Sequence, residues 1–113
     1  MKTYSGRRTA GGAVVLVDGA PLAPRAELRD FRAAFEWGYE GSGPSQLALA
    51  ILADHAGPQA ALGGWKAFMQ TTVAELQGDE WRLTSDEIRQ REESVTIVPM
   101  DLQTLLRKVR GEI

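Results

Sequence analysis

The sequence predicts an α+β fold, in which a small, mainly antiparallel sheet carries two helices on one face. The run AVVLV at 13–17 is rich in β-branched residues and is bounded by glycine turns, which is typical of a buried strand. The run QLALAILA is apolar on all sides and predicts a buried helix at about 44–56. Apolar residues recur at helical spacing at about 59–76, which predicts an amphipathic helix there.

The N-terminal third predicts strands joined by turns. Residues 1–8 predict a first strand, which Gly11-Gly12 ends before the run at 13–17. Asp18-Gly19 is a turn dipeptide. The prolines at 20–24 predict an extended connection, because each biases the residue before it away from helix. Residues 25–34 fit either a short helix or an irregular loop.

The stretch FEWGYEGSGPSQLALAIL predicts a strand, a turn and the start of the buried helix. Aromatic residues alternate with glycine or glutamate over 35–40, which predicts a half-buried strand. Pro44 suits the first helical position, with Ser42 or Gly43 as the N-cap. Gly57-Pro58 would end the helix.

The C-terminal part predicts short alternating elements. Residues 81–83 predict a strand, and the capping box at 84–87 predicts a charged helix to about residue 93. VTIV at 95–98 predicts another strand. Asp101 is the predicted N-cap of a last helix.

Length and composition predict one soluble domain over residues 1–113. The chain has no cysteine, so it has neither disulfides nor thiolate ligands. No stretch resembles a signal peptide or a membrane span, and we expect a cytoplasmic protein that does not bind membranes.

Charge is unevenly distributed along the chain. Residues 1–35 carry six basic and three acidic side chains, whereas 36–87 carry two basic and eight acidic ones. Separated charge can steer a partner, although the charges would mix on the surface of a folded chain. The net charge of −2 argues against nucleic-acid binding, because domains that bind nucleic acids are usually clearly basic.

The stretch FEWGYEGSGPSQLALAIL and the later Trp81-Arg82-Leu83-Thr84 resemble the signature of an uncharacterised bacterial and phage family, a domain of unknown function. The resemblance covers most of residues 4–90. It carries no activity to transfer. It implies an accessory product of a phage or mobile element, with a binding or inhibitory role of the anti-defence or anti-CRISPR type.

The glycine-rich turn is a candidate anion site, because a helix N-terminus offers unpaired N–H groups and partial positive charge. It matches neither phosphate-loop motif, no lysine follows, and Pro44 removes one donor. The alternative is a tight turn that only feeds the buried helix. The candidate ligand-binding residues are Gly41, Ser42, Gly43, Ser45 and Gln46.

Catalytic and metal chemistry lack a constellation in the sequence. His55 is the single histidine, and Ser42 and Ser45 lie roughly 15 Å away along the same helix. Glu36 and Glu40 would lie about 13 Å apart on one strand. We therefore predict no catalytic residue, no metal site and no cofactor, and an enzyme that uses His55 is left open as a third possibility.

The leading hypothesis is a non-enzymatic protein-binding module, an inhibitor or regulator of a host system. The alternative is a domain that binds a nucleotide or another small anion at the glycine-rich turn. A homodimer is left open. The aromatic residues are expected to form a core between sheet and helix. If some rings are exposed instead, they would form an interface with a basic rim, and the candidate residues are then Trp37, Tyr39, Glu36, Glu40, Arg29 and Arg32.

Overall fold

The computed structural model describes residues 1–91, and the predictions at 95–98 and from Asp101 onward lie outside them. The predicted α+β class is confirmed, with an antiparallel sheet and helices. The elements in chain order are β1 (Thr3–Thr9), β2 (Gly12–Val17), β3 (Ala20–Pro21), α1 (Ser42–Ala56), α2 (Pro58–Thr71), a 3₁₀ turn (Val73–Glu75), β4 (Glu80–Thr84) and α3, helical over 85–91.

The sheet has the strand order β3-β2-β1-β4, and all neighbouring strands are antiparallel. Asp18 and Gly19 connect β2 to β3 with φ values of 49° and 86°. Positive φ at both central residues is the type I′ hairpin geometry that Asp-Gly favours. The predicted turn is therefore confirmed, and it adds the two-residue strand β3 within the connection that we expected at 20–24.

The core lies between the sheet and the helices. Residues 43–53 of α1 are all buried, as a helix that is apolar on all sides requires. The inner face of the sheet contributes Tyr4, Val15, Trp81 and Leu83 to the same core cluster. The strand predicted at 13–17 is present as β2, but only Val15 of its residues is buried, so the burial expected for this strand was wrong.

The predicted strand at 35–40 is wrong, because this segment is irregular and pairs with no strand in the part of the chain that the structure describes. Gly38 has φ 90°, outside the β region, and its N–H donates to Val73 O at 3.1 Å. Trp37 is buried while Tyr39 is exposed, so the aromatic residues do not share one face. Tertiary contacts thus override the period-two pattern.

Helix boundaries also differ from the prediction. Helix α1 begins at Ser42 with Gly41 as N-cap, so Pro44 is its third residue rather than its first. Proline is tolerated there because the first N–H groups of a helix have no partner within it. Helix α2 ends at Thr71, and a 3₁₀ turn follows where we predicted continuous helix to residue 76. Residues 25–34 form an irregular loop.

The capping box is present as predicted. Thr84 N–H donates to Glu87 Oε1 at 2.8 Å, and Glu87 N–H donates to Thr84 Oγ1 at 3.2 Å. Among residues 1–91, no helix is long and apolar enough to cross a bilayer.

Candidate functional site

The glycine-rich turn packs against the irregular segment that precedes it. A Cβ atom on Gly43 would lie 2.8 Å from Ala34 O and 2.9 Å from Glu36 Cβ, which is closer than such atoms approach. Ser45 is buried and its hydroxyl donates to Gly41 O at 2.7 Å. Ser42 is exposed. The N-terminus of α1 is therefore largely covered by the protein's own backbone, and glycine is required at 43 for that contact.

Gln46 uses its whole side-chain amide to hold the loop before it. Its Nε2 donates to Pro24 O at 2.7 Å and to Arg29 O at 3.1 Å. Its Oε1 accepts the Phe31 N–H at 2.8 Å. The side chain is 2% exposed, so water does not replace these bonds. Gln46 thus fixes 24–31 against α1 and has no remaining donor for a ligand.

Arg8 connects three segments at one end of the sheet. Its guanidinium donates to Glu36 Oε1 at 2.8 Å, to Gly78 O at 2.8 Å and to Asp79 Oδ1 at 3.2 Å. It also lies over the Trp37 ring, 4.5 Å from the centroid. Hydrogen bonding to Glu36 is the main cause that raises the pKa of Arg8 above its ordinary value.

Trp37 completes this junction from the core side. It is buried, its Nε1 donates to Gly78 O at 2.9 Å, and its ring meets Trp81 edge-on at 5.7 Å. Gly6 lies directly below the Trp81 indole, where a Cβ atom would come within 2.3 Å of Nε1. Glu36 and Trp37, both predicted as interface residues, therefore serve the internal structure.

The remaining predicted interface residues do not form one patch around the aromatic rings. Tyr39 is exposed, and Glu40 accepts a bond from Gln70 at 3.4 Å. Arg29 stacks over Phe31 and Trp65 at about 5 Å, whereas Arg32 is exposed in a turn with φ 59°. Among these candidates only Arg29 joins an aromatic pair, which is itself half-buried.

Asp54 and His55 lie at the end of α1. Asp54 Oδ2 accepts the Tyr4 hydroxyl at 2.7 Å and Lys2 Nζ at 3.1 Å. Burial, followed by the hydrogen bond to Asp54, raises the pKa of Tyr4 well above its usual range. Asp54 therefore ties the helix end to β1. His55 lines an open surface depression with Met1, Lys2, Ser85, Asp86 and Arg89.

Within residues 1–91, nothing covers the side of the sheet that lies opposite to the core, and we call this side the outer face. Alternation places Tyr4 and Trp81 inward, so their strand neighbours point outward. Val14 is 42% exposed there, and an open depression of about 500 Å³ lies over the three long strands. The outer-face residues around this depression are Ser5, Arg7, Val14, Leu16, Glu80 and Arg82.

Sequence reasoning missed the outer face. Val14 and Leu16 belong to a run that looked wholly buried, and Arg7 and Arg82 are far apart in the chain. The register Arg7↔Val14 and Ser5↔Arg82 brings them together. Successive side chains of a strand point to opposite faces of the sheet, so the strand predicted at AVVLV indicated that Val14 and Leu16 lie on the face opposite to Val15.

In residues 1–91, no group of three or more acidic or histidine side chains is placed to hold a metal ion. No curated protein and no solved structure matches the chain. A family model described as a family of unknown function, DUF6166, matches residues 4–94, which confirms the resemblance to an uncharacterised family.

Proposed function

The chain belongs to DUF6166, a family of unknown function, and we propose that it is a non-enzymatic protein-binding module whose binding surface is the outer face of the sheet. The observation that carries this proposal is the composition of that face. On β2, exposed Val14 lies beside half-buried Leu16, and the exposed arginines Arg7 on β1 and Arg82 on β4 both lie to one side of this pair. An aliphatic pair beside two arginines is an unusual surface for a face that packs on nothing else in the described chain.

The partner that fits this face is a protein segment that carries carboxylates next to aliphatic side chains. Val14 and Leu16 supply the apolar half, on β2. Arg7 and Arg82 outnumber Glu80 in the charged half, on β1 and β4. Arginine binds carboxylates through two parallel hydrogen bonds, which gives both affinity and orientation. Binding should weaken with added salt, because exposed charges are screened.

The resemblance to phage and bacterial products supports a regulatory role for such binding. We propose an inhibitor or regulator of a host system, encoded by a phage or another mobile element and acting in the cytoplasm. This role requires no cofactor. It also requires no catalytic group, in keeping with the separation of His55 from the serines of the α1 N-terminus.

Binding of a nucleotide or another small anion at the turn has less support. Gln46 is committed to the loop at 24–31, Pro44 has no N–H, and Gly43 contacts the segment before α1. This hypothesis stays a prediction, and titration with ATP tests it directly.

The binding proposal is tested by selection from a yeast-displayed library of random peptides against the purified full chain. We expect enriched peptides to combine aspartate or glutamate with valine, leucine or isoleucine. Val14→Asp should abolish their binding. Leu62→Asp is the matched control, because Leu62 is 47% exposed on α2 and Val14 is 42% exposed on the outer face. Both variants should retain the wild-type circular dichroism spectrum.

Three results would contradict the proposal. The first is that no sequence class is enriched in repeated selections. The second is enrichment of basic peptides, which would place the binding surface elsewhere. The third is equal loss of binding in Val14→Asp and Leu62→Asp, which would mean that the apolar part of the outer face has no special role.

A further inference from the structure

Strand β4 forms an edge of the sheet and pairs only with β1 in the described chain. Arg8 N–H donates to Asp79 O at 2.9 Å, and Ser85 N–H donates to Lys2 O at 2.9 Å. Backbone groups of an antiparallel strand alternate in direction, so odd-numbered residues from 79 to 85 bond to β1. The N–H and C=O groups of Glu80, Arg82 and Thr84 therefore point away from the sheet.

The contact of Thr84 supports this direction independently. Its N–H is bonded to the side chain of Glu87 at 2.8 Å rather than to β1. Within residues 1–91, Glu80 and Arg82 pair with no second strand on that side. They leave two N–H and two C=O groups at a strand edge, which is a template for pairing with another chain. The opposite edge is the two-residue β3, which contains Pro21.

We propose that β4 pairs antiparallel with β4 of a second copy of this chain, about a two-fold axis at Trp81. The residues of β4 whose backbone groups point away from the sheet must face the same residues of the second copy. The two-fold axis therefore has to pass through a residue rather than between two residues. An axis at Arg82 would place two arginines opposite each other. An axis at Trp81 places Glu80 opposite the partner's Arg82, and it does so twice.

Charge complementarity on the outer face favours this register. Within one chain, Glu80 lies across from Arg7, and Arg82 lies across from Ser5. In the dimer, Glu80 lies between Arg7 and the partner's Arg82, so each carboxylate is flanked by two cations. Opposite charges in directly facing positions stabilise a strand pair, whereas like charges destabilise it. Both helical layers stay on one side of a continuous eight-stranded sheet.

The test is sedimentation velocity of the full chain over a concentration series. One chain has a mass of 12.3 kDa, and we expect a species of twice that mass to appear with increasing concentration. Arg82→Glu and Glu80→Arg should each raise the dimer Kd by about tenfold or more, because each places like charges opposite one another. The double variant with both changes should restore the wild-type Kd, because the pairs are then re-formed with exchanged signs.

Lys66→Glu is the matched control for Arg82→Glu, because it makes the same change in net charge at an exposed position of α2. It should leave the Kd unchanged. If the double variant recovers the wild-type dimer Kd, the single variants lost strand pairing and not their fold. Thermal denaturation of each variant shows directly whether it is folded. Since Val14 lies two strands away from β4, the Val14→Asp variant should dimerise normally. The dimer and the peptide-binding proposal can therefore fail separately.

A wild-type chain that remains monomeric at every concentration would overturn the proposal. Amide hydrogen exchange at Glu80 and Arg82 would then show whether another part of the chain protects this edge. A dimer that is insensitive to both single charge changes would also overturn it, because association would then use another surface. Failure of the double variant to recover dimerisation would exclude the register centred on Trp81.

Discussion

Gln46 offers the sharpest test of whether the glycine-rich turn serves a ligand or the fold. Gln46→Leu keeps a side chain of similar size and helix propensity but removes both polar atoms. The change breaks the bonds to Pro24 O, Arg29 O and Phe31 N–H. If the amide is structural, the variant should be markedly less stable even when no ligand is present.

The magnitude follows from three hydrogen bonds at a side chain that is 2% exposed. A net contribution of about 1 kcal/mol per bond gives about 3 kcal/mol lost on Gln46→Leu. The stranded backbone groups add to this loss if water cannot reach them. For a chain of this size, about 3 kcal/mol corresponds to a Tm lower by roughly 10–20 °C. Thermal and urea denaturation, followed by circular dichroism, measure both quantities.

Gln46→Glu gives the prediction a pH signature. A buried carboxylate facing two carbonyl oxygens is disfavoured, so its pKa in the folded state should rise above the unfolded value of about 4.3. Folding then favours the protonated form. The stability of this variant relative to wild type should be highest below about pH 4 and should fall as pH rises through the raised pKa. Gln59→Glu, at an exposed position of α2, is the control.

The structural role of Gln46 would be refuted by a Gln46→Leu variant with wild-type Tm. It would also be refuted by a Gln46→Glu variant whose stability follows the same pH profile as Gln59→Glu. Either result would mean that the amide contributes little to folding and is available for another role.

Three further predictions concern the sheet. Gly6→Ala should cost about 1–3 kcal/mol in urea denaturation, because its Cβ overlaps the Trp81 indole. Arg8→Lys should lower the Tm despite the retained charge, because lysine cannot reproduce the forked contacts or the stacking, whereas exposed Arg82→Lys should not. The variant Tyr39→Phe leaves Tyr4 as the one tyrosine, and its phenolate absorbance should appear only above the ordinary pKa of about 10 and together with unfolding. The raised pKa of Tyr4 stabilises the folded state at lower pH, and this stabilisation is lost as pH rises.

Local signals in the sequence predicted local structure well. Asp18-Gly19 gave a hairpin, Thr84 and Glu87 gave a capping box, and the apolar run after Pro44 gave a buried helix. In each case the controlling interaction joins residues that are close in the chain, so composition and spacing determine it.

Long-range contacts account for what the sequence did not predict. The aromatic alternation at 35–40 resembles a strand, but Trp37 turns into the core to meet Gly78 while Gly38 bonds to Val73. Gln46 contacts residues more than 14 positions earlier in the chain. The outer face exists only through strand register. No periodicity in one segment carries information of this kind.

The most direct test of the account is one NMR titration series on the ¹⁵N-labelled full chain. We propose that the outer face of the sheet binds the partner, and that the first residues of α1 stabilise the fold. We expect a selected acidic peptide to shift the amide signals of Ser5, Arg7, Val14 and Leu16 in a saturable way. ATP should leave the amide signals unchanged at the α1 N-terminus, which are those of Ser42, Gly43, Ser45 and Gln46. Saturable shifts at 42–46 with ATP, and none on the sheet with the peptide, would contradict it.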